Sequence, residues 1–94
     1  MNIIWDDDKN AKLKKERKIS FDIIAILILE QKYVEIVQHP RRPEQKIFII
    51  PINDYIHAVP FVIDAKNNIV LKTAFPSRKF HKQYWVKNDE NKTR

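Results

Sequence analysis

The stretch KIFIIPINDYIHAVPFVI, residues 46–63, decides the fold class of this chain. It contains two runs rich in Ile, Val, Phe and Tyr, 46–52 and 55–63, which are separated only by Asn53 and Asp54. β-Branched and aromatic residues favour strands, and a two-residue connection joins antiparallel strands in a hairpin. Because Asn and Asp tolerate positive φ, the pair predicts a type I′ turn even without Gly.

Strand patterns continue on both sides of this hairpin. Residues 33–38 and 69–75 read as two further strands, and residues 2–5 as a short one. Pro60 removes a backbone donor from its strand, so we expect a sheet edge or a bulge there. Pro76 ends the last strand, and a short helix is predicted from Arg78 to about Trp85.

Two helices are predicted before the main hairpin. Asp6 to Asp8 supply an N-cap and acidic first-turn charges for a polar helix that runs to about Lys18. Ser20 is a plausible N-cap for a second helix over the apolar run Phe21 to Leu29, although its isoleucines leave a strand open. A helix that is apolar all round is buried on several sides, in part by a partner.

This order of elements predicts an α+β fold with an antiparallel sheet. Two N-terminal helices cover one face, a short C-terminal helix follows, and the second face is available for a ligand. With 94 residues the chain is one domain, over residues 1–87. Residues 88–94 contain no apolar side chain and are predicted to form a disordered tail.

The absence of two residue types excludes several function classes. The chain has no Gly, so it lacks the dinucleotide loop, the Walker phosphate loop and the nucleophile elbow. It has no Cys, which removes thiol nucleophiles and cysteine-based metal sites. We expect neither a cofactor nor a metal. Without a signal-peptide pattern or an apolar run near 20 residues, the sequence favours a soluble, cytoplasmic protein with no membrane partner.

Positive charge is concentrated in two clusters of this chain, whose net charge is +6. The first is Lys9, Lys12, Lys14, Lys15, Arg17 and Lys18, where a solvated helix face is the simpler interpretation. The second is Lys72, Arg78, Lys79, Lys82 and Lys87. Arg78 and Lys79 fall in a first helical turn, which disfavours cations by roughly 0.3–1 kcal/mol each. Their placement suits phosphate binding, with incidental surface charge as the alternative.

Aromatic residues lie among these charges, at Phe80, Tyr84 and Trp85. Cations that hold a backbone and rings that stack on bases are typical of single-stranded nucleic-acid binding. The alternative is that Phe80 and Tyr84 dock the last helix onto the sheet.

Several groups of residues recur in the order and spacing of one known family. They are Trp5-Asp6-x-x-Lys9 with Leu13, Glu16-Arg17-Lys18-Ile19-Ser20-Phe21, Gln45-Lys46-Ile47-Phe48, Asn53-Asp54-Tyr55, Val59-Pro60-Phe61-Val62, and Leu71-Lys72-Thr73-Ala74-Phe75-Pro76-Ser77-Arg78-Lys79. The set spans residues 3–85 and resembles the BrnT family of bacterial toxins. Arg17-Lys18 stands where the family usually has His-Gly or Arg-Gly, and the family's C-terminal motif is replaced from Pro76 onward.

This resemblance implies a RelE-like fold and a ribonuclease of a type II toxin–antitoxin system. It further implies metal-independent RNA cleavage and neutralisation by a cognate antitoxin, usually a small ribbon-helix-helix DNA-binding protein. A non-catalytic RNA- or protein-binding domain of the same fold remains the alternative.

Cleavage without a metal uses the ribose 2′-OH as nucleophile and needs a base, an acid and cations around the phosphorus. The candidate catalytic residues are Arg78 for transition-state charge, Lys72 as a phosphate anchor, and His81 for proton transfer, unless His81 is simply an exposed helix histidine. The candidate RNA-binding residues are Lys46, Lys79, Lys82 and Tyr84. His57 fits a half-buried strand histidine, and His39 a loop residue.

Overall fold

The computed structural model describes residues 1–85 of the chain, so the predicted tail over residues 88–94 lies outside it. Its elements are β1 (Ile3–Ile4), α1 (Asp7–Arg17), α2 (Phe21–Leu29), β2 (Glu35–Gln38), β3 (Lys46–Ile52), β4 (Tyr55–Ile63), β5 (Ile69–Leu71), β6 (Phe75–Pro76) and α3 (Arg78–Phe80), which continues as a π-helical turn, His81–Trp85. We call residues 78–85 the C-terminal segment. The predicted α+β class is confirmed, and α2 is a helix rather than a strand.

The sheet has the strand order β1-β5-β4-β3-β2, and β6 pairs with β4 beyond the end of β5. Every pair is antiparallel except β1 with β5, where Ile3 lies opposite Ile69 in a parallel register. The sheet is therefore mixed, and the prediction of a wholly antiparallel sheet is wrong at this edge. No hairpin joins β1 to its partner, so no local turn signal specifies its direction.

The central hairpin forms as predicted. Asn53 and Asp54 have φ of 53° and 62°, the two positive values of a type I′ turn. The register follows from this turn, with Ile52 opposite Tyr55 and Lys46 opposite Phe61.

Pro60 lies in β4, which is inside the sheet and not at its edge. The missing Pro60 N–H is therefore accommodated by a bulge in the segment that follows β5. Leu71 pairs with Phe61, and Phe75 pairs with Ala58. Between these two pairs, the three residues 72–74 lie opposite only two residues of β4, Val59 and Pro60. The Lys72 N–H donates to the Pro60 carbonyl at 2.9 Å. Since the N–H and C=O of one strand residue point to the same side, the missing Pro60 donor faces the bulge. The predicted strand 69–75 is therefore interrupted.

The main core lies between the two N-terminal helices and one face of the sheet. Phe21, Ile24 and Ile28 of α2 pack with strand side chains such as Phe48 and Val59. The opposite side of α2 is exposed, at Ile23, Ile26 and Leu29. The helix therefore buries one stripe and leaves the other apolar stripe in solvent.

Side-chain hydrogen bonds set the ends of both N-terminal helices. Asp6 accepts from the Lys9 N–H at 3.0 Å, and Ser20 accepts from the Ile23 N–H at 3.2 Å, which confirms both predicted N-caps. Lys18 ends α1 with φ of 56°, in the left-handed region that favours Gly. A lysine thus occupies the helix terminus that Gly stabilises best.

The second face of the sheet is covered by the C-terminal segment, not free for a ligand as the sequence predicts. Ile47, Ile49, Ile56 and Ala58 form a small buried cluster on this face. The side chains packed against it are Val37, Phe75, Phe80, Tyr84 and Trp85. This face is too apolar to stay in water, and the C-terminal segment supplies its cover.

Among residues 1–85, no helix combines the length and apolar character needed to cross a membrane.

Candidate nucleic-acid interface

The C-terminal segment is attached to the start of β4. The Ser77 N–H donates to the Ile56 carbonyl at 3.0 Å, and the Ser77 hydroxyl accepts from the Phe80 N–H at 3.2 Å. Phe80 and Tyr84 then pack against the second-face cluster, with ring centroids 6.1 Å apart. The interpretation that these two rings dock the helix onto the sheet is confirmed.

Three cations of the segment point into solvent. Arg78, Lys79 and Lys82 are exposed, and the Lys79 Nζ lies 5.8 Å from the centroid of the Phe80 ring. Within residues 1–85 the only ion pair joins Lys14 to Asp22, at 3.8 Å. The three cations are therefore not engaged by any described carboxylate, and their charges are open to an anionic ligand.

His81 is half-buried in a column of three rings. Its imidazole lies parallel to Tyr55, with centroids 3.9 Å apart, and stacks on Trp85 at 5.4 Å. The Ile56 N–H donates to its Nδ1 at 3.2 Å. While it accepts this bond, Nδ1 carries a lone pair, so the ring proton lies on Nε2. His81 is therefore not the exposed helix histidine that the sequence left as the alternative, and its Nε2–H is the ring group left to donate a hydrogen bond to a ligand.

Lys72 lies at the sheet bulge beside Pro60, whereas the helical turn that carries Arg78 begins beside Ile56, four residues earlier in β4. Its half-buried side chain lines a cleft of about 380 Å³ between α1 and the bulge. The other residues lining this first cleft are Lys9, Lys12, Leu13, Glu16, Arg17, Phe21 and Thr73. Lys72 thus shares this cleft with three cations of α1, Lys9, Lys12 and Arg17, and the cleft has the volume for a nucleotide-sized group.

A second cleft, of about 440 Å³, shares one wall with the first. Lys9, Lys72 and Thr73 line both clefts. The remaining lining residues of the second cleft are His39, Arg42, Gln45, Ile47, Pro60 and Phe75. We call the two clefts together the basic cleft.

The predicted site residues fall into two groups in space. Arg78, Lys79, His81, Lys82 and Tyr84 share the C-terminal segment. Lys72 lines the basic cleft, and exposed Lys46 begins β3 directly after cleft residue Gln45. No hydrogen bond or ion pair among residues 1–85 connects the two groups. Their assignment to one catalytic centre stays a prediction.

The other two histidines have structural partners. His57 is buried, and its Nδ1 lies 2.9 Å from the Tyr55 carbonyl. Burial lowers the pKa of His57, the Tyr55 carbonyl opposes that change, and nearby Arg17 adds to the lowering. His39 accepts from the N–H groups of Arg41 and Arg42, which folds the loop between β2 and β3.

Two carboxylates are held ionised by hydrogen bonds. The pKa of Asp22 is lowered, mainly because the Asn10 side chain donates to it at 2.8 Å. The pKa of Asp64 is lowered chiefly by the Asn68 N–H. Both belong to turns or caps outside the basic cleft. Within the described part of the chain, no three His, Asp or Glu side chains are grouped closely enough to hold a metal ion.

Sequence reasoning missed the basic cleft because its cations come from three separate segments. Lys9, Lys12 and Arg17 belong to α1, Arg42 to a loop, and Lys72 to the bulge. One signal was available in the sequence: Lys9, Lys12 and Glu16 recur at helical spacing, with Leu13 facing the core on the same side of α1. This spacing marks a common face, but not what lies opposite.

No protein-family model, curated protein or solved structure matches this chain.

Proposed function

We propose that this chain is a BrnT-like toxin with a RelE-like fold, an endoribonuclease that a cognate antitoxin neutralises. The α+β class of the structure is compatible with this proposal. The observation that carries the proposal is the C-terminal segment, where Arg78, Lys79 and Lys82 are exposed while Phe80 and Tyr84 anchor the backbone. Cations on a fixed support present a preorganised field to a phosphate.

In the proposed reaction the ribose 2′-oxygen attacks the adjacent phosphorus and loses its proton to a base. The P–O5′ bond breaks, leaving a 2′,3′-cyclic phosphate, and the 5′-oxygen takes up a proton. Arg78 stabilises the charge on the phosphorane, and Lys79 holds the phosphate. His81 donates a hydrogen bond through Nε2–H to a phosphoryl oxygen while Nδ1 accepts the Ile56 N–H, and it exchanges a proton only when Nδ1 leaves that N–H and becomes protonated.

The antitoxin in this proposal covers the apolar surface that the fold leaves open. Ile23, Ile26 and Leu29 of α2 are 52%, 49% and 74% exposed. Among residues 1–85, β2 lies at the edge of the sheet with no strand on its outer side, and it carries exposed Ile36. A helix stripe and a strand edge are the two features that partner segments most often use. The net charge of +6 favours an acidic partner segment.

One observation favours the alternative, a domain that binds RNA or protein without cleaving. The imidazole of His81 is enclosed between Tyr55 and Trp85 and bonded to the backbone. These contacts stabilise the fold, so they account for a histidine at position 81 without any role in catalysis.

The deciding experiment is incubation of the purified protein with a 5′-labelled single-stranded RNA in EDTA. We expect fragments that end in a cyclic phosphate, and no cleavage of the matching all-deoxy strand. Arg78→Ala should slow cleavage by about 10²–10³-fold at an unchanged Tm. The control is Lys66→Ala, since Lys66 is exposed in the turn between β4 and β5.

Each outcome separates the candidates. Intact RNA that remains bound to the protein identifies the non-catalytic domain. Cleavage that survives Arg78→Ala removes Arg78 from the active site. A protein that neither binds nor cleaves RNA contradicts the endoribonuclease and the RNA-binding form of the alternative, and leaves only a protein-binding domain.

A further inference from the structure

The two halves of the basic cleft form one continuous surface, because Lys9, Lys72 and Thr73 line both of them. The first half opens beside α1, on the side of the sheet that carries the helices. The second half reaches Ile47 and Phe75, which belong to the cluster beneath the C-terminal segment. The surface therefore passes over the bulge from one side of the sheet to the other.

Positive charge is enriched on this surface about twofold over the chain as a whole. Five of the eighteen Lys and Arg residues line it: Lys9, Lys12, Arg17, Arg42 and Lys72. Among the described residues that line it, Glu16 is the only carboxylate, of twelve in the chain. None of the five cations takes part in the one ion pair of residues 1–85, which joins Lys14 to Asp22. No described carboxylate therefore forms an ion pair with any of these cations.

A stability argument alone does not account for the arrangement. The face of α1 that carries Lys9 and Lys12 is exposed and must be polar. Exposure alone does not require these two lysines to lie across a cleft from a third cation, Lys72. Arg42 approaches from a separate loop, which His39 folds by accepting two backbone N–H groups. Three segments distant in the sequence thus deliver cations to one surface, which indicates an extended anionic ligand.

We propose that the basic cleft binds the sugar-phosphate backbone of single-stranded RNA and leads the strand toward the C-terminal segment. This inference rests on the proposed function, and it adds a binding surface outside the predicted active-site residues. A line of separate cations suits a chain of phosphates better than one compact anion. Thr73 and Gln45 add neutral hydrogen-bonding groups, and half-buried Phe75 supplies a ring edge at the far end.

The test measures binding of a fluorescent 20-nucleotide single-stranded RNA by anisotropy at several salt concentrations. All proteins carry Arg78→Ala so that the RNA stays intact. The double variant Lys9→Gln/Arg17→Gln removes two exposed cations and should bind roughly tenfold more weakly. Because each lost phosphate contact lowers the salt slope by about 0.7 for single strands, the slope should fall by about 1.4.

The matched control is Lys32→Gln/Lys66→Gln, which removes two exposed cations that do not line the cleft. It should keep the parent affinity and slope. Lys72→Gln is a third variant that removes a cation from both halves, and its Tm is compared with the parent because Lys72 is half-buried.

Equal losses in the cleft variant and the control indicate a general charge effect and overturn the inference. Unchanged binding in the cleft variant, with cleavage intact in the protein that keeps Arg78, also overturns it and leaves the proposed function standing. Cleft-dependent RNA binding by a protein that never cleaves supports the inference and contradicts the endoribonuclease.

Discussion

The imidazole of His81 lies parallel to the ring of Tyr55, with an angle of 4° between the planes and 3.9 Å between centroids. The same imidazole accepts the Ile56 N–H through Nδ1. Tyr55 and Ile56 begin β4, so one side chain connects the C-terminal segment to the start of a central strand by both stacking and a hydrogen bond.

Removing this ring should destabilise the fold. His81→Ala leaves the part-buried Ile56 N–H without its acceptor and removes both stacking contacts, so we expect a loss of about 2–3 kcal/mol in the free energy of unfolding. Urea denaturation measures it. Gln83→Ala, at an exposed position of the same segment, should change the value by less than about 0.5 kcal/mol.

A conservative variant separates this structural role from proton transfer. In His81→Asn the side-chain oxygen takes the approximate place of Nδ1, so the Ile56 N–H keeps an acceptor, while no group replaces Nε2. We expect stability closer to the parent than in His81→Ala, together with loss of RNA cleavage. Full cleavage by His81→Asn would remove His81 from the proposed chemistry.

Asn10 should be among the most sensitive polar positions. Its buried side chain accepts the Phe21 N–H at 2.8 Å and donates to Asp22 at 2.8 Å. In Asn10→Ala the buried Phe21 N–H loses its partner, which should cost about 1–3 kcal/mol in urea denaturation.

Asn10→Asp tests the same contact through charge. The new carboxylate can still accept from Phe21, but it stands beside ionised Asp22 and offers no donor. We therefore expect Asn10→Asp to be less stable than the parent at pH 7, with the difference shrinking toward pH 3 as the carboxyls become protonated. A difference that does not change with pH would contradict this account.

Replacing the lysine at the end of α1 with Gly should stabilise the protein. Lys18 adopts φ of 56°, which costs a residue with a Cβ roughly 1 kcal/mol relative to Gly. Because Gly also gains freedom in the unfolded chain, the net gain for Lys18→Gly should be about 0.5–1 kcal/mol. Ala11→Gly, inside the same helix, should have the opposite sign and destabilise by about 1 kcal/mol. A Tm lowered by Lys18→Gly would refute the prediction.

Buried His57 should make stability fall under mildly acidic conditions. Its pKa is lowered in the folded state, foremost by burial, so between the ordinary value near 6.5 and the lower folded value the unfolded chain binds more protons. The free energy of unfolding should thus decrease from pH 7 to pH 5, by at most about 1.4 kcal/mol per pH unit for this group.

The control for this pH dependence is a second histidine. His57→Gln should flatten the decrease between pH 7 and pH 5, whereas His39→Gln, in a loop, should retain it. Urea denaturation at half-unit pH steps measures both variants. If His57→Gln keeps the parent slope, another group causes the decrease.

Local signals in the sequence were sufficient for the helices and the central hairpin. Asp6 and Ser20 mark the helix starts with their own side chains, and Asn53-Asp54 specifies the turn with two residues that accept positive φ. These features involve neighbours in the chain, so a single sequence contains them in full. Pro60 predicted an edge or a bulge in the sheet, but the sequence did not show that residues 72–74 would form the bulge.

The sequence by itself determined the α+β class, the helix caps, the β3–β4 hairpin and its register, because each depends on residues close together in the chain. Only the tertiary structure decided that β1 runs parallel to β5, that the C-terminal segment covers the second face, and that Lys72 lines a cleft together with α1. Each of these pairs residues far apart in the chain, where contact depends on competition among all apolar surfaces for burial rather than on any local pattern.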